Sequence, residues 1–106
     1  MLKILYKVIF FNSGKIYELY ARQVSTSNLW GFVEVGELEF DVHDGVVVDP
    51  TEERLRDEFC MTRTLHLPIQ SIVRIEEVEK KGQSVIRDAA TGEKVITPFP
   101  MPPRPR

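Results

Sequence analysis

A chain of 106 residues, 42% apolar and 28% charged, has the size and composition of one soluble globular domain and excludes disorder as the default state. No apolar run approaches the ~20 residues that span a bilayer, and the N-terminus lacks the cleavage pattern of a signal peptide. The lone Cys60 cannot form an internal disulfide, which fits a reducing compartment and gives a cytoplasmic expectation with no membrane association.

The net charge of −2 conceals an uneven distribution. Residues 1–31 carry four bases against Glu18, residues 32–59 carry ten acids against Arg54 and Arg56, and residues 60–106 carry eight bases against five acids. Such segregation can steer a basic partner or orient self-association. A folded sheet that interleaves these segments would blur it.

Leu2 to Phe11 is rich in β-branched and aromatic residues, with apolar side chains on both faces of a period-two pattern, as in a central strand. Asn12-Ser13-Gly14-Lys15 is turn chemistry. Ile16 to Val24 returns as a second strand, with Tyr17, Leu19 and Ala21 on one face and Glu18, Tyr20 and Arg22 on the other. The two strands make a β-hairpin. After the polar break Ser25 to Asn28, Leu29 to Phe40 is extended again. Its apolar phase slips at Gly36, between Val33/Val35 and Leu38/Phe40, which predicts a β-bulge there. Asp44-Gly45 then turns the chain into a short apolar strand, Val46 to Val48.

The firmest element is a helix that starts at Asp49-Pro50. Asp49 at N-cap, Pro50 at N1 and Glu52 at N3 form an Asp-x-x-Glu capping box. Glu52 and Glu53 place negative charge at the positive end of the helix dipole. Leu55 and Phe59 make one apolar face, and a helix of roughly ten residues needs that face packed on a sheet to persist. Capping and solvated charge account for Asp49, Glu52, Glu53 and Glu58 without an acidic site. Beyond the helix, Cys60 to Arg63 is loop, Thr64 to Leu67 a short strand and Pro68 to Ser71 one 3₁₀ turn. Ile72 to Lys80 is a long strand whose phase slips between Ile75 and Val78. Gly82 turns the chain into Ser84 to Arg87, and Thr91-Gly92 turns it into Lys94 to Thr97. Residues 1–97 form the single domain. Residues 98–106 (PFPMPPRPR) are expected to form a proline-rich tail, extended or disordered, with Pro100-x-x-Pro103 and Pro102-x-x-Pro105 matching the minimal PxxP pattern but with basic residues not at the usual flanking spacing.

Catalytic chemistry is not visible. His43 lies in a loop beside Asp41 and Asp44, His66 alternates with Leu65 and Leu67, and nothing in their spacing brings them to one metal. The acids around Asp44 lack calcium-loop spacing, the glycines are single turn residues rather than a phosphate cradle, and no nucleophile elbow is present. Cys60 reads as a packed thiol rather than a reactive one. The expectation is a non-enzyme without cofactor or metal. Nucleic-acid binding draws on Lys3, Tyr6, Lys7, Tyr17, Tyr20, Arg22, Trp30 and Phe32, since small barrels stack bases on rings beside cations. A sequence pI near 5.7 opposes it.

GKIYELYAR (Gly14 to Arg22), GFVEV (Gly31 to Val35), VVVDPTEERLRDEF (Val46 to Phe59), LHLP (Leu65 to Pro68), RIEEVEKKG (Arg74 to Gly82) and PFPMPP (Pro98 to Pro103) together carry a resemblance. The chain resembles the bacterial domain-of-unknown-function 1820 family, short proteins found mainly in proteobacteria. The resemblance implies a bacterial cytosolic protein and brings no activity and no catalytic residues; it also implies that the tail is native. The fold expected is mainly β with one short helix. It would be a small bent antiparallel sheet or a partly open barrel, similar to SH3-like barrels in architecture only, with an α+β meander as the alternative. The function expected is a protein-interaction module acting on another protein or on itself, with Tyr20, Arg22 and Trp30 as its surface. The alternative is a nucleic-acid-binding barrel using the first hairpin.

Overall fold

Two strands joined by the tightest possible loop begin the fold. The computed structural model describes residues 4–40 and 50–94, and β1 (Leu5–Asn12) and β2 (Lys15–Thr26) pair antiparallel with Asn12 opposite Lys15. That leaves only Ser13 and Gly14 to turn the chain, and both take positive φ, 53° and 78°. This is the type I′ geometry whose twist matches that of the flanking strands. Glycine meets the second requirement at no steric cost.

β2 is the spine. On one side it pairs with β1; on the other, its first residues (15–18) pair with β6 (Val85–Asp88) and its later ones (20–26) with β3 (Phe32–Glu39). β4 (Thr64–Pro68) adds to β3 and β5 (Ile72–Val78) adds to β1, with a 3₁₀ turn at Ile69–Ser71 between them. The order is β4-β3-β2-β1-β5 with β6 beside β2. The result is a mainly β, antiparallel, six-stranded open sheet with one helix, α1 (Pro50–Phe59). The described strands do not close into a barrel, because β4 and β5 remain unpaired edges. The turn Asp44-Gly45, the strand Val46 to Val48, the Asp49 cap, His43, the strand beyond Lys94 and the proline tail lie outside the described residues.

The sheet bends at places other than those the sequence pattern suggests. Ala21 pairs with Leu38 and Val24 with Val35, in one unbroken register. Yet Ala21, Val24, Val35 and Leu38 all pack in or against the core. Both strands change phase at the same level, where Glu37 takes φ 53°. No residue is inserted, so the bulge expected at Gly36 does not form; a left-handed residue reverses the pleat instead. The bulge in β5 is also displaced. Ile9 faces Arg74 but Phe10 faces Ile72, so Val73 is the extra residue, not one between Ile75 and Val78.

The core gathers on the inner face of this bend: Val8, Phe10, Tyr17, Leu19, Ala21, Val35, Leu67 and Ile86, with Leu55 of α1. Phe10 stacks on Tyr17 at 4.9 Å between ring centroids, and Phe59 meets Tyr17 edge-on at 6.2 Å, geometries that add to simple area burial. Leu55 and Phe59 are thus the packed face that the helix pattern predicts.

Glu52 has a larger role than its place in a capping box suggests. It is 1% exposed; its Oε2 accepts the Ser84 N–H at 2.6 Å and stands 3.2 Å from Lys81 Nζ. Lys81 also donates to the Gly82 carbonyl and lies 5.5 Å above the centroid of the Tyr20 ring. Helix, β6 entry and spine strand meet at one carboxylate. Removing one member of a buried, hydrogen-bonded ion pair costs about 3–5 kcal/mol. Glu52→Ala is therefore expected to lower unfolding free energy by about that amount in urea titration, and Glu52→Gln, which keeps an acceptor for Ser84, by less.

Gly82 is constrained by the same cluster. A Cβ there would stand 2.6 Å from Tyr20 Oη, and the tyrosine ring is held in place by its own burial. Gly82→Ala should destabilise by about 1–3 kcal/mol. Adding Tyr20→Phe removes the clashing oxygen, so the double variant should recover most of that loss. An equal loss from Gly82→Ala with and without the Tyr20→Phe substitution would show that the clash is not the cause.

Candidate interaction surface

The loop between β2 and β3 presents the most exposed aromatic side chain among the described residues. Ser27 N–H donates to the Phe32 carbonyl at 3.1 Å and Phe32 N–H to the Leu29 carbonyl at 3.2 Å, closing a loop over Asn28 to Gly31. Ser27 Oγ accepts the Leu29 N–H at 2.9 Å and hydrogen-bonds His66 Nδ1 of β4 at 2.7 Å. Ile69 N–H, in the 3₁₀ turn, donates to the Gly31 carbonyl at 2.9 Å. The loop is therefore tied to itself and to the neighbouring edge. On it Trp30 is 96% exposed, flanked by the exposed Leu29, with exposed Ile69 bonded alongside. The loop itself carries no cation, since between Arg22 and Arg54 the sequence has no lysine or arginine.

The three residues expected to share a surface do not share one. Trp30 stands in solvent, whereas Tyr20 is 6% exposed beneath Lys81, and Arg22 Nε donates to Glu39 Oε1 at 2.8 Å. Tyr17 is likewise core, Lys7 pairs with Glu18 at 3.5 Å, and Arg87 pairs with the same Glu18 at 3.2 Å. Four members of the expected ring-and-cation set, Lys7, Tyr17, Tyr20 and Arg22, are thus engaged in packing or ion pairs. The physical reason lies in the Lys81–Gly82 segment, which lies against the Tyr20 ring and hydroxyl and buries a side chain that alternation alone leaves open.

A second feature is a groove of about 230 Å³ where the bend brings β4 over β1. Its apolar walls are Phe10, Phe11, Phe59, Leu65, Leu67 and Pro68, and Asn12, Glu58, His66 and Ser71 supply polar atoms. That volume is below the roughly 300–1,000 Å³ of sites that enclose a drug-sized ligand, so it suits side chains of a peptide better than a whole cofactor. Of the groove residues, Glu58 accepts a hydrogen bond from Tyr17 Oη through its Oε2 at 3.3 Å. Among the described residues no three His, Cys, Asp or Glu side chains are placed to hold a metal ion, and no helix is long and apolar enough to cross a membrane. Cys60 is exposed, its thiol donating to the Asp57 carbonyl at 3.3 Å, rather than packed as its residue type suggests.

Leu29 and Ile69 were not legible as surface residues, because both sit next to apolar strand sequence. The available signal was the Ser25 to Asn28 break followed by Gly31: a tight loop cannot bury the side chains at its tip.

These features define a small, bent, open-sheet β domain with an anchored apolar tip. The chain belongs to the family described as Domain of unknown function (DUF1820), whose model matches residues 4–101. No curated protein and no solved structure matches it.

The Tyr17 hydroxyl titrates above its ordinary value of 10.0, chiefly because burial disfavours the phenolate and secondly because the Glu58 carboxylate lies beside it. Since the folded pKa exceeds the unfolded one, this contribution to stability is full below about pH 10 and is lost as pH rises toward the folded value. Urea midpoints measured from about pH 9 to 11 should therefore fall less steeply in Tyr17→Phe than in the parent.

Proposed function

We propose that this protein is a non-enzymatic, cytoplasmic protein-interaction module whose anchor is Trp30, supported at the tip by Leu29 and Ile69. The observation that carries the reading is an indole 96% exposed on a loop bonded to two strands and a 3₁₀ turn. A large aromatic kept in water on a fixed frame has surface to lose and little conformational entropy to give up on binding, the character of an interface hot spot. The absence of lysine and arginine from the loop itself supports a protein partner with an apolar pocket rather than phosphate backbone or anionic lipid.

Nothing packs on the Trp30 side chain that its removal would disturb, so Trp30→Ala separates binding from folding. Burying an exposed side chain of this size contributes about 1.5–3 kcal/mol, which is roughly tenfold or more in affinity. Quantitative mass spectrometry of proteins captured on the wild type and on Trp30→Ala, from nuclease-treated lysate, should show a partner depleted about tenfold on the variant with an unchanged circular dichroism spectrum. Equal recovery on both, or loss of every partner on nuclease treatment, would overturn the reading.

A further inference from the structure

We propose that β5 is a self-association edge: two copies of this chain pair their β5 strands antiparallel about a two-fold axis at Ile75.

Among the described strands β5 pairs only with β1, so the backbone groups on its other side have no ladder partner there. Such an edge is a template for a second strand, and here it carries the exposed apolar residues Val73 and Ile75. The other open edge, β4, is the poorer template. It has five residues, ends on Pro68, which lacks an N–H, and borders the groove lined by Glu58 and Phe59 of α1.

Charge complementarity decides both the occupant and the register. In a two-fold antiparallel pair the axis stands perpendicular to the sheet and passes through one residue position. That residue meets its own copy, and residues equally far to either side meet each other. Centred on Arg74, the pairing sets Arg against Arg; centred on Glu76 or Glu77, it sets Glu against Glu, and like charges directly opposite are unfavourable. Centred on Val73, it runs the ladder through the bulge. Centred on Ile75, it sets Ile75 against Ile75 and Arg74 against Glu76 twice, once from each copy.

The rest of the edge suits that register. Arg74 and Glu76 share the face of Ile9 and Lys7, so the row across the seam runs Lys7, Glu76, then Arg74 of the second copy, with alternating sign. Arg74 bonds Glu76 of its own strand at 3.0 Å and its side chain is largely exposed, so it can turn to the second copy's carboxylate without orphaning a buried group. Val73 falls opposite Glu77, and the two bulges therefore stop the ladder at both ends. Both copies use the same edge, which closes the assembly as a dimer.

The test is sedimentation velocity of the full chain up to high micromolar concentration, with circular dichroism as the check on folding. The parent should show a monomer–dimer equilibrium. Arg74→Glu and Glu76→Arg should each weaken it roughly tenfold or more, because two attractive pairs become two repulsive ones. Lys7 keeps Glu18 as a partner when Glu76 is replaced. An equimolar mixture of the two variants should dimerise again, since the acids of one chain then face the bases of the other although neither chain can form the Arg74–Glu76 bridge within itself. A parent that stays monomeric, an assembly larger than a dimer, single variants that dimerise as the parent does, or a mixture as monomeric as its components would overturn the proposal. So would loss of the dimer in Trp30→Ala, which would move the contact to the loop between β2 and β3. The edge is separate from the Trp30 tip, so the capture experiment on that tip stands or falls independently.

Discussion

The carboxylate of Glu52 is the constraint on which the described parts of the molecule converge. It is buried on the inner side of α1, takes the Ser84 N–H at the entry to β6, and holds Lys81 over Tyr20. A carboxylate taken out of water is costly unless its oxygens are met by donors and charge. Here the donors come from a segment about thirty residues away in sequence, so a long loop must close before they meet. Helix packing, the short strand beside the spine and the covering of β2 are therefore one cooperative arrangement rather than three.

That arrangement explains why the exposed surface is where it is. β2 is too long for one neighbour, so β6 takes its first residues and β3 its later ones. The paired phase change near Glu37 keeps apolar side chains inward past the division. The far end of β2 then projects as a hairpin loop fastened to β4 and the 3₁₀ turn, and the curl of the sheet leaves a narrow groove between β4 and β1. Both candidate surfaces are consequences of an open sheet that bends without closing.

Much of the architecture was legible because local chemistry specified it. The Asn12-Ser13-Gly14-Lys15 turn, the helix begun by Pro50 and the 3₁₀ turn after Pro68 occur where short-range signals place them, since each depends on residues within a few positions. The β-bulges were not legible in the same way. A phase slip in apolar pattern says that a strand must bend, but a paired distortion and an inserted residue produce the same pattern. Only the partner strand distinguishes them, as Val73 and Glu37 show.

The sequence by itself determined that this is a mainly β chain with one helix, that Tyr17, Leu19 and Leu55 are core, and that the family resemblance spans nearly its whole length, as the match over residues 4–101 shows. Those properties rest on period, propensity and local turns. Tertiary structure alone decided the fate of Tyr20, Arg22 and Trp30, three residues that look equally available in the pattern. Tyr20 went under Lys81, Arg22 to Glu39, and Trp30 into solvent. Alternation can say which face of a strand a side chain occupies; it cannot say whether a distant segment will come to cover that face.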